Sequence, residues 1–327
     1  MRLKSTIVLF LRSVLLLFKP KIHLNGDTIV VNTSSWSKFV PSNFNTDKEF
    51  CVVPINQIHA DDYEKIIAYI GAIDKRILNK MSRLQWLQIP SHGTNGYEQA
   101  RLYANKHVVL TRAADVFTES IAQYCITAYY VFNTFAFRRL ASVNCPNNIT
   151  GCNIVDSVSI AIIGLGNIGT CLAKKCYNLN WKVYGVKKHI PSVLPDYVEG
   201  VFSFADIRHM LKNFDFIVNL LPETSDTIGI YDYEFFKLMK PTAVFCNVGR
   251  ASAVVENDLT RAIEEGHLKG AVLDVVEDLK GGNGLIVTPH ISWKCDNNDE
   301  YIDEFMSAQL NSYLQGINLS CKVELEC

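Results

Sequence analysis

Residues 158–189 read VSIAIIGLGNIGTCLAKKCYNLNWKVYGVKKH. A β-branched apolar run enters the spacing Gly164-x-Gly166-x-x-Gly169. Leu172, Ala173, Cys176 and Leu179 then share one helical face, and a second β-branched run, KVYGV, closes the unit. A glycine spacing alone is a weak signal, but a strand before it and a helix after it are the context that gives it meaning. Gly164 permits a tight turn, Gly166 lets the backbone approach a pyrophosphate, and Gly169 lets the helix pack on the strand. The free N–H groups at the helix start, at the positive end of its dipole, suit that anion. The segment reads as a dinucleotide site.

The end of the second strand bears on which dinucleotide. A carboxylate there would accept from the ribose 2′-hydroxyl of NAD. Lys187 and Lys188 stand in that place, followed by His189, and no acid appears before Asp196. Two cations suit a 2′-phosphate, so NADP is favoured and NAD remains the alternative.

Outward from this unit the pattern stays α/β. Downstream, FDFIVNLLP (214–222), KPTAVFCNVGRAS (240–252), GAVLDVVED (270–278) and GLIVTPHIS (284–292) each hold a buried-type strand, and repeated βα units imply a parallel sheet covered on both faces. Upstream, a helix is expected from about 115 to 139, then a loop at VNCPNNITGCN (143–153). TIVVNTSSW (28–36), EFCVVPI (49–55), LQWLQIP (84–90) and HVVLTRA (107–113) read as strands, whereas DYEKIIAYIGAI (62–73) has apolar residues at helical spacing. Residues 297–316 read as a packing helix with an acidic first turn.

The chain has 327 residues, a prior for two domains, and 48% hydrophobic residues, enough for a sizeable core. A net charge of -1, with no block of like charge, argues against a nucleic-acid partner. Ten cysteines without a C-x-x-C pair, several inside apolar runs, read as buried thiols in a reducing, cytoplasmic setting rather than metal ligands. Residues 6–18, TIVLFLRSVLLLF, flanked by Arg2, Lys4, Lys19 and Lys21, are too short to span a bilayer. They read as a packed helix, or as a basic interfacial helix giving residues 1–21 weak contact with a membrane surface.

In open α/β sheets ligands sit outside the carboxyl ends of the strands. Arg250, Asp274, Glu277 and His290 all stand at such ends, beside the glycine motif. The runs IAIIGLGNIG, LLPETSDTIGIYDYEFFKLMKP, NVGRA, EEGHLKGAVLDV and TPHIS, in this order, resemble the D-isomer-specific 2-hydroxyacid dehydrogenases. The resemblance is dense over 158–292 and looser at LQWLQIPSHGTNG and DVFTESIAQYCITAYY. It implies a doubly wound (Rossmann) cofactor domain, residues 113–292, inserted into a smaller flavodoxin-like α/β substrate domain, 27–112 and 293–327, after an N-terminal extension, 1–26. It also implies a homodimer and hydride transfer between NADP(H) or NAD(H) and a small-molecule substrate, a 2-keto or 2-hydroxy acid of D configuration.

By the same resemblance Arg250 holds the substrate carboxylate and polarises the keto group, and His290 is the acid/base. The backbone of His92, Gly93 and Thr94 grips the carboxylate. Asn167, Ile168, Leu221, Pro222, Val248, Gly249 and Asp274 join the glycines and lysines around the cofactor. One departure matters: the family's catalytic glutamate comes five residues after the aspartate, where this chain has Leu279. Glu277, or Asp278, is then the carboxylate expected to partner His290; with neither in reach, the protein would be a weak or inactive dinucleotide-binding regulator.

Overall fold

The computed structural model describes residues 21–32, 48–94, 96–134 and 157–326. The chain divides into two compact units, one reaching to Val116 and resuming at Asp296, the other Phe117–Cys295. The expected loop at 143–153 and the apolar segment 6–18 lie outside the described residues, as do 135–139 of the expected helix.

The first unit holds strands β1 (Thr28–Val31), β2 (Glu49–Val52), β3 (Ile66–Ile70), β4 (Trp86–Ile89) and β5 (Val109–Arg112). These five are mutually parallel in the order β2-β1-β3-β4-β5, the flavodoxin-like arrangement. Here the structure corrects one expectation. DYEKIIAYIGAI is not a helix: a 3-10 turn over Ala60–Lys65 leads into β3, every residue of which is buried. A central parallel strand is covered on both faces and so reads as an unbroken apolar run, and Ile66, Ile67 and Ile70 within it also satisfy helical spacing.

Asp62, at the foot of β3, is a second constraint on this unit. Its carboxylate accepts from Lys65 Nζ at 2.6 Å, from His23 Nδ1 at 2.9 Å and from the Leu24 N–H at 3.0 Å. The Lys65 ammonium is the main reason its pKa falls to about 2, and the Leu24 and His23 donors act in the same direction. A carboxyl whose folded pKa lies below its unfolded value stabilises the fold above the unfolded value, and that contribution is lost as pH falls through the folded one. We therefore expect thermal unfolding midpoints to drop between pH 4 and pH 2 less steeply in Asp62→Asn than in the parent protein, as read by circular dichroism.

The second unit opens with helix α1 (Thr118–Asn133) and continues through β6 (Ser159–Ile163), α2 (Asn167–Asn178), β7 (Lys182–Val186), β8 (Gly200–Phe202), α3 (Phe204–Arg208) and β9 (Phe216–Asn219). Helix α4 (Tyr233–Lys237), β10 (Val244–Asn247), α5 (Glu256–Glu264), β11 (Gly270–Leu273) and β12 (Leu285–Val287) complete it. Its seven strands are all parallel, in the order β12-β11-β10-β9-β6-β7-β8. The chain enters at β6, winds outward to β8, then returns to add β9 beside β6. That reversal is the topological switch point, outside whose carboxyl ends a crevice forms.

Under the sheet, Phe235, Phe236, Phe245 and Tyr231 are fully buried and meet edge-on or tilted, the Tyr231–Phe235 centroids 4.9 Å apart. Rings arranged edge to face add to what their burial alone contributes. On the other side α1 packs against α2 and β10, with Tyr129 wedged against Trp181 and Phe216.

The chain then returns to the first unit through α6 (Asn298–Leu314), the tail helix expected from the sequence, and β13 (Lys322–Val323), which pairs antiparallel with β5. Gln309 of α6 reaches Gln88 Oε1 at 3.2 Å, and Thr111 Oγ1 donates to the same atom at 2.6 Å. No described helix is long and apolar enough to cross a membrane.

Candidate functional site

The carboxyl ends of β6, β7, β9, β10, β11 and β12 lie along one edge of the parallel sheet, and every strand-end candidate of the second unit sits in the loops or helix start that follow them. After β6 the chain turns at Gly164, whose φ of 109° is open to glycine and strained for other residues. The Gly164 and Leu165 N–H groups donate to Val186 O, tying the turn to the end of β7. A Cβ on Gly169 would lie 2.2 Å from Gly164 O, so only glycine lets α2 start this close to the strand. A Cβ on Gly166 would meet nothing within 4 Å. Open space thus fronts the N-terminus of α2, where Gly166 supplies no side-chain cap and Asn167 and Ile168 form the first turn. Such a mouth, bounded by backbone donors and the helix dipole, fits a dinucleotide pyrophosphate.

Lys187 and Lys188 follow β7 at once, both exposed, and neither forms an ion pair among the described residues. No carboxylate residue occupies the strand end itself.

The loops after β9 and β10 are held by a buried polar network that sequence reading passed over. Asn219 Nδ2 donates to Asn247 Oδ1 at 2.9 Å, and Asn219 Oδ1 accepts from the Leu221 N–H and the Tyr231 hydroxyl. Asn247 in turn accepts from the Gly249 N–H and donates to Arg250 O. A Cβ on Gly249 would stand 2.7 Å from Leu221 O, so the Leu221–Pro222 and Val248–Gly249 turns touch backbone to backbone. Asparagine at the last position of two adjacent buried strands, FIVN and VFCN, was the available signal: buried amides must find partners.

Arg250 leaves this network half-buried. Its Nη1 donates to Gly249 O at 2.7 Å, and the guanidinium has no carboxylate partner among the described residues. A partly desolvated guanidinium without an anion is a ready receptor for a planar carboxylate.

Asp274, 1% exposed at the end of β11, organises the next loop. Its Oδ1 accepts from the Thr288 hydroxyl at 2.6 Å and the Ile291 N–H at 2.8 Å, its Oδ2 from the Ser292 N–H at 2.9 Å, and its carbonyl from the His290 N–H at 2.9 Å. Between these bonds His290 takes a left-handed conformation, φ 55°, with an exposed ring. A non-glycine residue held there is strained, and such strain gathers at functional sites.

The carboxylate expected beside that ring is elsewhere. Among the described residues no acidic oxygen lies within 4.0 Å of the His290 ring nitrogens. The Glu277 and Asp278 N–H groups donate to the Glu256 carboxylate at 2.7 and 3.3 Å, which anchors this segment on the start of α5. Leu279 packs on the apolar core. The expected Glu277–His290 pair is therefore absent: apolar packing of Leu279 and capping by Glu256 hold the shortened loop on α5.

His92, Gly93 and Thr94 belong to the first unit, in the loop that follows β4. His92 Nδ1 lies 2.8 Å from Ala114 O, Arg112 Nη1 donates to His92 O, and Ser91 Oγ donates to Gly93 O. A carbonyl only accepts, so Nδ1 carries the proton.

Residues 145–292 match the family described as "D-isomer specific 2-hydroxyacid dehydrogenase, NAD binding domain". The chain is 26% identical to the glyoxylate reductase of Pyrococcus horikoshii over 266 residues, 75% of this chain and 77% of that protein. It is 28% identical to glyoxylate/hydroxypyruvate reductase B of Cronobacter sakazakii over 257 residues, 72% and 77% of the two chains. Its fold superimposes with a TM-score of 0.71 on a D-isomer specific 2-hydroxyacid dehydrogenase family protein from Aeromonas salmonicida, at 22% identity over 92% of this chain and 100% of that one. Together with the doubly wound sheet, its glycine turn and the ordered run of strand-end residues, these matches support the D-isomer specific 2-hydroxyacid dehydrogenase family, whose NAD-binding domain is matched over residues 145–292.

Proposed function

We propose that the protein is an NADPH-preferring reductase of small 2-keto acids, forming the D-2-hydroxy acid. The observation that carries this reading is the half-buried Arg250 guanidinium, without a carboxylate partner among the described residues, on the sheet edge that also bears the glycine turn and the strained His290. Curated relatives named for glyoxylate and hydroxypyruvate point to a short substrate.

In this reading the dinucleotide, held by Gly164 to Gly169, the Leu221–Pro222 and Val248–Gly249 turns and Asp274, supplies the hydride when bound. Arg250 orients the substrate carboxylate and draws electron density from the keto oxygen. The loop of His92, Gly93 and Thr94 in the first unit is a further proposed carboxylate-binding element. His290, protonated, gives its proton to the carbonyl oxygen as the carbon is reduced, and regains one from solvent, to which its ring is exposed.

Lys187 and Lys188 are the proposed 2′-phosphate ligands. The double substitution Lys187→Glu, Lys188→Glu is expected to raise the KM for NADPH about tenfold or more while leaving that for NADH nearly unchanged. Steady-state oxidation of the two dinucleotides checks this, and parallel rises in both constants would remove the assignment.

Leu279 favours a second reading, a dinucleotide-binding regulator that does not turn over keto acids. Tight NADPH binding in a fluorescence titration without oxidation by any 2-keto acid would select it. A homodimer, a cytoplasmic setting and weak membrane-surface contact through residues 1–21 belong to the proposal as well. Sedimentation velocity and fractionation of the full-length chain test them.

A further inference from the structure

Three residues of α1 and its cap grip the histidine loop. Phe117, Ser120 and Tyr124 lie three and four apart, on one helical stripe. The Phe117 and Trp293 rings meet edge-on at 5.6 Å. The Ser120 hydroxyl lies 2.9 Å from Trp293 O, and Trp293 Nε1 donates to His290 O at 2.8 Å. Tyr124 Oη stands 2.6 Å from Thr288 Oγ1, itself 2.6 Å from Asp274 Oδ1.

Donor counting sets the direction of this chain. An ionised carboxylate only accepts, so the single Thr288 proton goes to Asp274. The Thr288 oxygen must then accept, and the Tyr124 O–H is the donor. Burial pushes the Tyr124 phenol up, so it keeps that proton at every working pH. Tyr124 thereby locks the Thr288 rotor onto Asp274, whose remaining bonds fix the N–H groups of the two residues after His290.

We propose that Tyr124 is a positioning residue for His290, acting through Thr288 and Asp274 to hold the histidine loop in its left-handed turn. The catalytic part of this inference rests on the acid role proposed above for His290. The geometric part does not.

Two measurements on Tyr124→Phe, Thr288→Val and Thr288→Ser separate the parts. Removing a hydroxyl that orients the acid should lower kcat about tenfold in Thr288→Val and roughly threefold in Tyr124→Phe, where the rotor is loosened rather than lost. The KM for NADPH should stay put. Thr288→Ser, which restores the hydroxyl, should recover most of the loss. Independently of turnover, the His290 ring resonance in histidine-labelled protein, assigned by its disappearance in His290→Gln, should shift or broaden in the first two variants and return in Thr288→Ser. Unchanged resonances in Tyr124→Phe and Thr288→Val would overturn the proposal. Shifted resonances in a protein that reduces no keto acid would uphold the brace and discard the reductase reading. A Thr288→Ser variant as impaired as Thr288→Val would mean that packing of the side chain, not its hydroxyl, is what matters, and would also overturn it.

Discussion

Under the proposed function, His290→Gln is expected to lower kcat for keto-acid reduction by about a hundred- to ten-thousandfold, the usual contribution of a positioned general acid, and to leave NADPH binding intact. Glutamine retains a donor of similar reach but cannot deliver a proton to the developing alkoxide. Binding should survive because the glycine turn, the Leu221–Pro222 loop and the Val248–Gly249 loop are built without the histidine ring; the described bonds of His290 are made by its main chain, the N–H donating to Asp274 O and Thr288 O and the carbonyl accepting from Trp293 Nε1. Stopped-flow measurement of a single turnover, with NADPH fluorescence as the binding readout, checks both halves. A variant that keeps wild-type kcat would move the acid elsewhere.

The second large effect belongs to Arg250. Arg250→Lys keeps the charge but loses the planar fork, and a catalytic donor aimed at developing negative charge contributes about a hundred- to a thousandfold. We expect kcat/KM for the keto acid to fall by that order, with the change in kcat as well as in KM, and dinucleotide affinity to hold. Because Arg250 pairs with no described carboxylate, its removal orphans no anion, so the unfolding transition should move little. A loss of stability comparable to the loss of activity would point instead to a structural arginine.

The parts of the site that could be read from the sequence are those encoded by backbone geometry. Gly164 needs a positive φ and Gly169 a close approach, and both needs can be met by one residue type, so the turn announces itself. The parallel strands announce the sheet edge in the same way, since FIVN, VFCN and GAVL are buried on both faces.

What escaped reading depends on contacts between distant segments. Ile66 to Ile70 satisfied a helical spacing and a strand equally, and only placement between β1 and β4 decides for the strand. Tyr124 sits in an apolar helix that looks like core, yet its hydroxyl meets Thr288, 164 residues later. Glu277 was expected beside His290 from its position near the family's glutamate, but the N–H groups of its own segment are claimed by Glu256. Side-chain hydrogen bonds of this kind carry no local period, so a one-dimensional pattern cannot display them.

The measurement that bears most directly on the proposed function is oxidation of NADPH and of NADH by the full-length protein with glyoxylate, hydroxypyruvate, pyruvate and bulkier 2-keto acids. The expected result is turnover with a short keto acid, faster with NADPH, giving the D-hydroxy acid by chiral analysis where the product is chiral, as with hydroxypyruvate or pyruvate, and lowered by about a hundredfold or more in His290→Gln. Tight dinucleotide binding with no oxidation by any of these acids would contradict the reductase reading.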